Sequence, residues 1–157
     1  MKKLWFLGAL ILVLCLCIYR FRARIDAAAI PESNAATISA AANTAKDTCE
    51  GKKSCAVAYL APWCPHCKKV VPDLQAMITK AEASSEYGLR VIVGGGEKAE
   101  NEKLAALFGK SGVVDASNEI ATALGVRGYP SFYVLNEKGQ AVMGDQDAYR
   151  WAFENLR

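Results

Sequence analysis

Hydrophobic and polar positions divide this chain into an apolar first section and a longer patterned one. Leu4 to Tyr19 carry no charge, between Lys2 and Lys3 on one side and Arg20, Arg22 and Arg24 on the other. Sixteen residues fall a little short of the ~20 a spanning helix needs, and Phe21 with snorkelling arginines extends them. The pattern predicts an N-terminal transmembrane helix within residues 1–24. A cleaved signal segment is the other reading, although the small-residue site at Ala27 to Ala29 lies behind three arginines. Residues 25–44 read as a tether, with an alanine-rich helix beginning near Asn34 and running to Lys46.

From residue 45 to residue 157 the periodicity alternates between strand and helix. Cys55 to Leu60 and Leu89 to Val93 are short apolar runs that predict buried strands, the second broken by three consecutive glycines. Helices are predicted from Cys64 to about Glu82 through Pro72, over Glu97–Phe108, over Asn118–Leu124 with Gly125 as its cap, and over Asp147–Leu156. Val113 and Val114 suggest a brief strand. Ser131–Leu135 and Ala141–Met143 flank a Lys138-Gly139 turn and predict a hairpin. Strands joined by crossover helices and closed by a hairpin imply an α/β domain whose mixed central sheet carries helices on both faces.

Charge alters this picture only by subtraction. The formal charge of +3 rests on five basic residues in the first 24, leaving 14 basic against 16 acidic side chains beyond them. No basic face remains for a nucleic acid, and none is expected as a partner.

The cysteines carry the chemistry. Six of them form three close pairs: Cys15 with Cys17 in the apolar run, Cys49 with Cys55, and Cys64 with Cys67 as C-x-x-C. Cys15 and Cys17 are most simply small apolar residues of the first helix. Cys49 and Cys55 flank Glu-Gly-Lys-Lys-Ser, where Gly51 permits a turn. A structural disulfide there fits an oxidising compartment, with an electron relay to the other pair and free thiols as alternatives.

Cys64 opens a predicted helix, where free N–H groups and the positive end of the macrodipole stabilise a thiolate. It is therefore expected to be the presented nucleophile, with Cys67 one turn inward resolving the mixed disulfide. A zinc site or an inert structural disulfide is the competing reading, but the other zinc ligands would have to come from His66, Cys49 and Cys55, and His66 lies between the two thiols. No metal and no cofactor beyond the cysteines themselves are expected.

The run Trp63-Cys64-Pro65-His66-Cys67-Lys68, with Pro72 beyond it, resembles the active-site helix of the thioredoxin superfamily. Val114-Asp115 and the later Leu124-Gly125-Val126-Arg127-Gly128-Tyr129-Pro130 resemble the family segment that ends in a cis-proline facing that helix. The resemblance implies a thioredoxin-like fold over about residues 45–157, Pro130 in the cis form beside the disulfide, and Tyr129 lending backbone groups to a bound substrate. Trp63, Pro65 and His66 become supporting residues of the site.

Two features depart from the pattern. Ala58 stands six positions before Cys64, where family members often carry a buried carboxylate, and the strand and helix from Leu89 to Phe108 exceed a minimal thioredoxin, resembling membrane-anchored relatives of the TlpA and ResA type. Cys-Pro-His-Cys is the DsbA-type motif and implies an oxidase or isomerase, whereas the anchor and the added element imply a reductase of the cytochrome-maturation kind. Protein thiols or disulfides outside the cytoplasm, in a periplasm or its equivalent, are the expected substrates, with a further protein as redox partner. A thioredoxin-like module that only binds a metal or partner is the alternative from another class.

Overall fold

The computed structural model describes residues 49–157. The expected membrane helix, the tether and the Asn34–Lys46 helix lie outside the described residues. Among the described residues no helix is long and apolar enough to cross a membrane.

Five strands form one sheet. Ser54–Leu60 (β1) is followed by the helix Pro65–Ala83 (α1), then Tyr87–Gly94 (β2), Lys98–Ala106 (α2), a 3-10 turn at Gly109–Ser111, Gly112–Asp115 (β3), Glu119–Leu124 (α3), Ser131–Asn136 (β4), Ala141–Gly144 (β5) and Asp145–Leu156 (α4). The spatial order is β3-β2-β1-β4-β5. β1 pairs in parallel with β2 and β2 with β3, while β4 runs antiparallel to β1 and β5 to β4. The mixed sheet matches the expectation from periodicity. The Leu89–Val93 run, however, is no appendage: it lies in an inner strand between β1 and β3.

β1 is buried from Cys55 to Leu60, so its alternate side chains feed two separate cores. Ala56, Ala58 and Leu60 face a core closed by Leu74, Met77 and Ile78 of α1, Ala105 and Phe108 at the end of α2, and Ala148, Ala152 and Leu156 of α4. Cys55, Val57 and Tyr59 face the other core with Ile120, Ala123 and Leu124 of α3 and Tyr133 and Leu135 of β4. Helices thus cover both faces. α1 continues through Pro72, which lies on its exposed side, where water can satisfy the carbonyl that loses its amide partner.

Some boundaries differ from the pattern. The helix expected over Glu97–Phe108 stops at Ala106, because Phe108 turns into the core and Gly109 takes φ +54° to open the 3-10 turn. α4 starts two residues early at Asp145, directly from the end of β5.

The topology gathers one end of the sheet. β1, β2 and β3 are parallel, so their C-terminal ends share an edge, and antiparallel β4 begins at that edge. Cys64, the Gly94–Gly96 loop, Asn118 and Pro130 all belong to the connections there.

Candidate active site at the head of the first helix

Cys64 is the N-cap of α1, with extended backbone at φ −79° and ψ 118°, and Pro65 occupies the first turn, where an amide hydrogen is not needed. The free backbone N–H of Cys67 donates to Cys64 Sγ at 3.3 Å. The thiol of Cys64 in turn lies 3.5 Å from the Tyr129 carbonyl, to which it donates. The Tyr129-Pro130 peptide is cis. Ser131 Oγ donates to the Gly128 carbonyl at 2.8 Å, tying the turn before the proline to the start of β4.

Burial separates the two thiols less than the sequence suggests. Cys67 is fully buried, but Cys64, expected to be presented at the surface, is only 3 % exposed. The residues around it account for that: the Tyr129 carbonyl meets its sulfur, and the Trp63 and Tyr129 rings stand edge to face at 5.3 Å nearby. Burial, and then the hydrogen bond with Cys64, push the Cys67 thiol well above the ordinary thiol range. Cys67 is therefore held as a neutral thiol in the resting dithiol.

Trp63 is 57 % exposed, and its Nε1 donates to the Gly95 carbonyl at 2.6 Å. His66, between the two cysteines in sequence, is exposed. It borders an open groove of about 880 Å³ that runs from Pro130 over Phe132 to Tyr149 and Phe153 of α4. The Tyr149 hydroxyl donates to Asp73 at 3.3 Å and links α4 to α1 along this groove.

Ala58 is fully buried on the α1 face, so the position where relatives keep a carboxylate is a methyl group packed among the helix's apolar residues. A carboxylate occurs instead on the opposite face. Tyr59 Oη donates to Asp115 Oδ2 at 2.8 Å, and the same oxygen accepts from the Ala121 amide at 2.9 Å. Burial first, and then the Asp115 carboxylate, push the Tyr59 phenol far above its ordinary range.

Cys49 and Cys55 are joined by a disulfide with Cα atoms 5.5 Å apart. Cys55 lies at the start of β1 and Cys64 beyond its end. At about 3.3 Å per residue the intervening strand keeps the two sulfur pairs more than ~15 Å apart, so the geometry supplies no direct relay. Among the described residues no group of three metal-ligating side chains comes together.

Sequence reasoning left several site residues unassigned. Gly94, Gly95 and Gly96 were legible only as a strand break, and Tyr59, Asn101 and Asn118 carried no motif. Their one sequence signal was the run of three glycines directly after an apolar strand, at the edge where the C-x-x-C also lies.

The thioredoxin-like domain model matches residues 40–153. Mouse protein disulfide-isomerase A5 is 31% identical over 88 residues, covering 56% of this chain and 14% of the mouse protein. The chain thus spans about one seventh of that relative's length. Among solved structures, the exposed lipoprotein thioredoxin of Streptococcus pneumoniae has 23% identity and a TM-score of 0.52, covering 68% of this chain and 87% of its own. A thiol:disulfide interchange protein of the thioredoxin family from Chlorobium tepidum has 20% identity and a TM-score of 0.51, covering 68% and 81%. These two likenesses speak for the fold.

Proposed function

We propose that this chain, which belongs to the family of thioredoxin-like disulfide oxidoreductases, exchanges disulfides with polypeptides outside the cytoplasm through Cys64 and Cys67. The observation that carries the reading is the Cys67 amide aimed at Cys64 Sγ from the first turn of α1. A sulfur that meets a backbone donor at the head of a helix is the setting in which a cysteine exchanges disulfides, whereas at Cys67 burial outweighs the backbone donors and pushes the thiol up.

In the oxidising direction a substrate thiolate attacks Cys64 Sγ of the Cys64–Cys67 disulfide. A substrate–Cys64 disulfide forms, and Cys67 leaves as a thiolate that takes a proton. A second substrate thiolate then attacks the substrate sulfur of the mixed disulfide and expels the Cys64 thiolate. The substrate's two electrons end on the pair; of the two protons its thiols released on becoming thiolates, one goes to Cys67 and the other to Cys64 when its thiolate is protonated. Because burial raises the proton affinity of Cys67, the thiolate released there takes up a proton and ends as the neutral thiol.

Direction follows from the Pro65-His66 dipeptide, by which we read the chain as an oxidase or isomerase. A membrane-anchored reductase is the other direction of the same chemistry. Anchoring through residues 4–19, a periplasmic or comparable compartment, protein thiols as substrates and a separate protein that resets the pair complete the proposal. The Cys49–Cys55 disulfide supports the oxidising compartment. No cofactor other than the cysteine pair is invoked.

The test is trapping combined with a potential. Cys67→Ser is expected to accumulate mixed disulfides through Cys64, and Cys64→Ser to accumulate few. Equilibration of the wild type with glutathione is expected to give a potential above the roughly −270 mV of thioredoxin. The reverse trapping pattern rejects the assignment of roles, and a potential at or below that of thioredoxin rejects the oxidase in favour of the reductase.

A further inference from the structure

An exposed indole is normally mobile, yet Trp63 is fixed at two points. Its Nε1 donates to the Gly95 carbonyl, and its ring meets the Tyr129 ring edge to face. The carbonyl is itself held in place. The Gly95 amide donates to Asn118 Oδ1 at 3.1 Å, and the next carbonyl, of Gly96, accepts from Asn101 Nδ2 at 2.9 Å. Asn101 is 2 % exposed and its Oδ1 has no partner in the structure, so its amide group is committed to this one bond.

Each glycine of the loop is also required by a neighbour in or beside the redox site. A Cβ on Gly94 would overlap the Tyr59 hydroxyl, and one on Gly96 would overlap the Pro62 ring. Gly95 has φ +71°, and a Cβ there would lie 2.8 Å from the Tyr129 hydroxyl. A turn that only reversed the chain would need one such glycine. Three in succession, each in close approach to a different residue around Cys64, describe a surface against which Pro62, Trp63 and Tyr129 are seated.

On the reading that Cys64 and Cys67 are the redox pair, we propose that the Gly94–Gly96 loop and Asn118 are positioning residues that hold the Trp63 indole rigid for docking of a polypeptide around its disulfide. An aromatic ring ordered before binding offers contact area without the entropy cost of being fixed on association. Asn118 suits a test because it is exposed and lies outside both cores. Its backbone is left-handed at φ 58°, a conformation glycine adopts freely and aspartate tolerates.

The experiment compares full-length wild type, Asn118→Gly and Asn118→Asp. Asn118→Gly keeps the backbone and deletes the acceptor, whereas Asn118→Asp restores an acceptor at the same atom. Solvent exchange of the Trp63 indole N–H, read by NMR, is expected to accelerate in Asn118→Gly and to return toward wild type in Asn118→Asp. In reduction of insulin disulfides with dithiothreitol regenerating the dithiol, KM is expected to rise roughly three- to tenfold in Asn118→Gly with kcat unchanged, which is the order of one side chain's ordering cost. The rate with the small disulfide 5,5′-dithiobis(2-nitrobenzoic acid), which needs no polypeptide docking, is expected to stay at the wild-type value.

Unchanged indole exchange and unchanged KM in Asn118→Gly overturn the proposal. So does an equal loss with both disulfides, or a defect that Asn118→Asp fails to repair, since either would mean that Asn118 acts through the fold. A wild type inert toward both disulfides overturns the redox reading instead, and the docking role with it.

Discussion

The close approach of Gly94 to Tyr59 makes a quantitative prediction about how two substitutions interact. Tyr59→Phe removes the hydroxyl that donates to buried Asp115, leaving that carboxylate oxygen with the Ala121 amide alone. Loss of a buried hydrogen bond to a charged group costs about 2 kcal/mol. Gly94→Ala keeps an ordinary backbone conformation but places its Cβ inside the Tyr59 hydroxyl. The ring must move, which breaks the same hydrogen bond and adds overpacking of about 1–3 kcal/mol, less about 0.5–1 kcal/mol for the gain of Ala over Gly in a strand. The single substitution is therefore expected to cost about 3 kcal/mol.

In the Tyr59→Phe background the worst overlap is gone, and the nearest remaining atoms are the ring Cζ at 3.0 Å and the Asp115 carbonyl at 3.1 Å. Those need shifts of tenths of an ångström. Gly94→Ala should then cost only about 1 kcal/mol more, so the double variant falls about 2 kcal/mol short of additivity. Urea unfolding of the oxidised protein measures all four corners of the cycle. Additivity within about 0.5 kcal/mol would refute the reasoning, because it would mean that the hydroxyl and the Gly94 Cα do not compete for one space.

Stability of the reduced protein should hold up to the ordinary thiol range, near pH 8.5, and decline as pH rises through the raised value of folded Cys67, because the unfolded chain loses that proton first. Cys67→Ala and the disulfide form should lack this decline, and urea melts from about pH 7 to about pH 9.5, below the ordinary tyrosine range, would show it; a reduced wild type that parallels Cys67→Ala refutes it. Replacing Cys49 and Cys55 by serine, which opens a loop of sequence separation 6, should cost about 2–2.5 kcal/mol in oxidised protein, and a stability within about 0.5 kcal/mol of wild type would show that the bridge constrains nothing in the unfolded chain.

Most of the fold was legible because β1 and β2 are buried along nearly their whole length and so read as unbroken apolar runs. The hairpin was legible from its turn, where Gly139 takes φ +73°. Boundaries slipped where a local contact overrode periodicity, as at Phe108, which leaves its helix to fill the core beside Ala105. At the site, the C-x-x-C and its place at the start of α1 were written in the local order of residues. The burial of Cys64 was not, since its cover comes from Tyr129, 65 positions away. The same holds for Tyr59 with Asp115, a pair separated by 56 positions.

The triglycine loop shows why such residues escape a reading by motif. A glycine is selected there by what stands opposite it, and the side chains opposite Gly94, Gly95 and Gly96 come from β1, the segment before Pro130 and the segment before Cys64. These meet only after β1, β2 and β4 have paired in register, with Leu60 level with Val93 and Tyr59 level with Ser131. A slip of one residue between β1 and β2 would send Tyr59 to the α1 face and take its hydroxyl away from Gly94. The register that buries the two cores is thus the same one that seats Trp63 beside Cys64, so the geometry around Cys64 and core stability should respond together to substitutions in β1, and separately to substitutions at exposed Asn118.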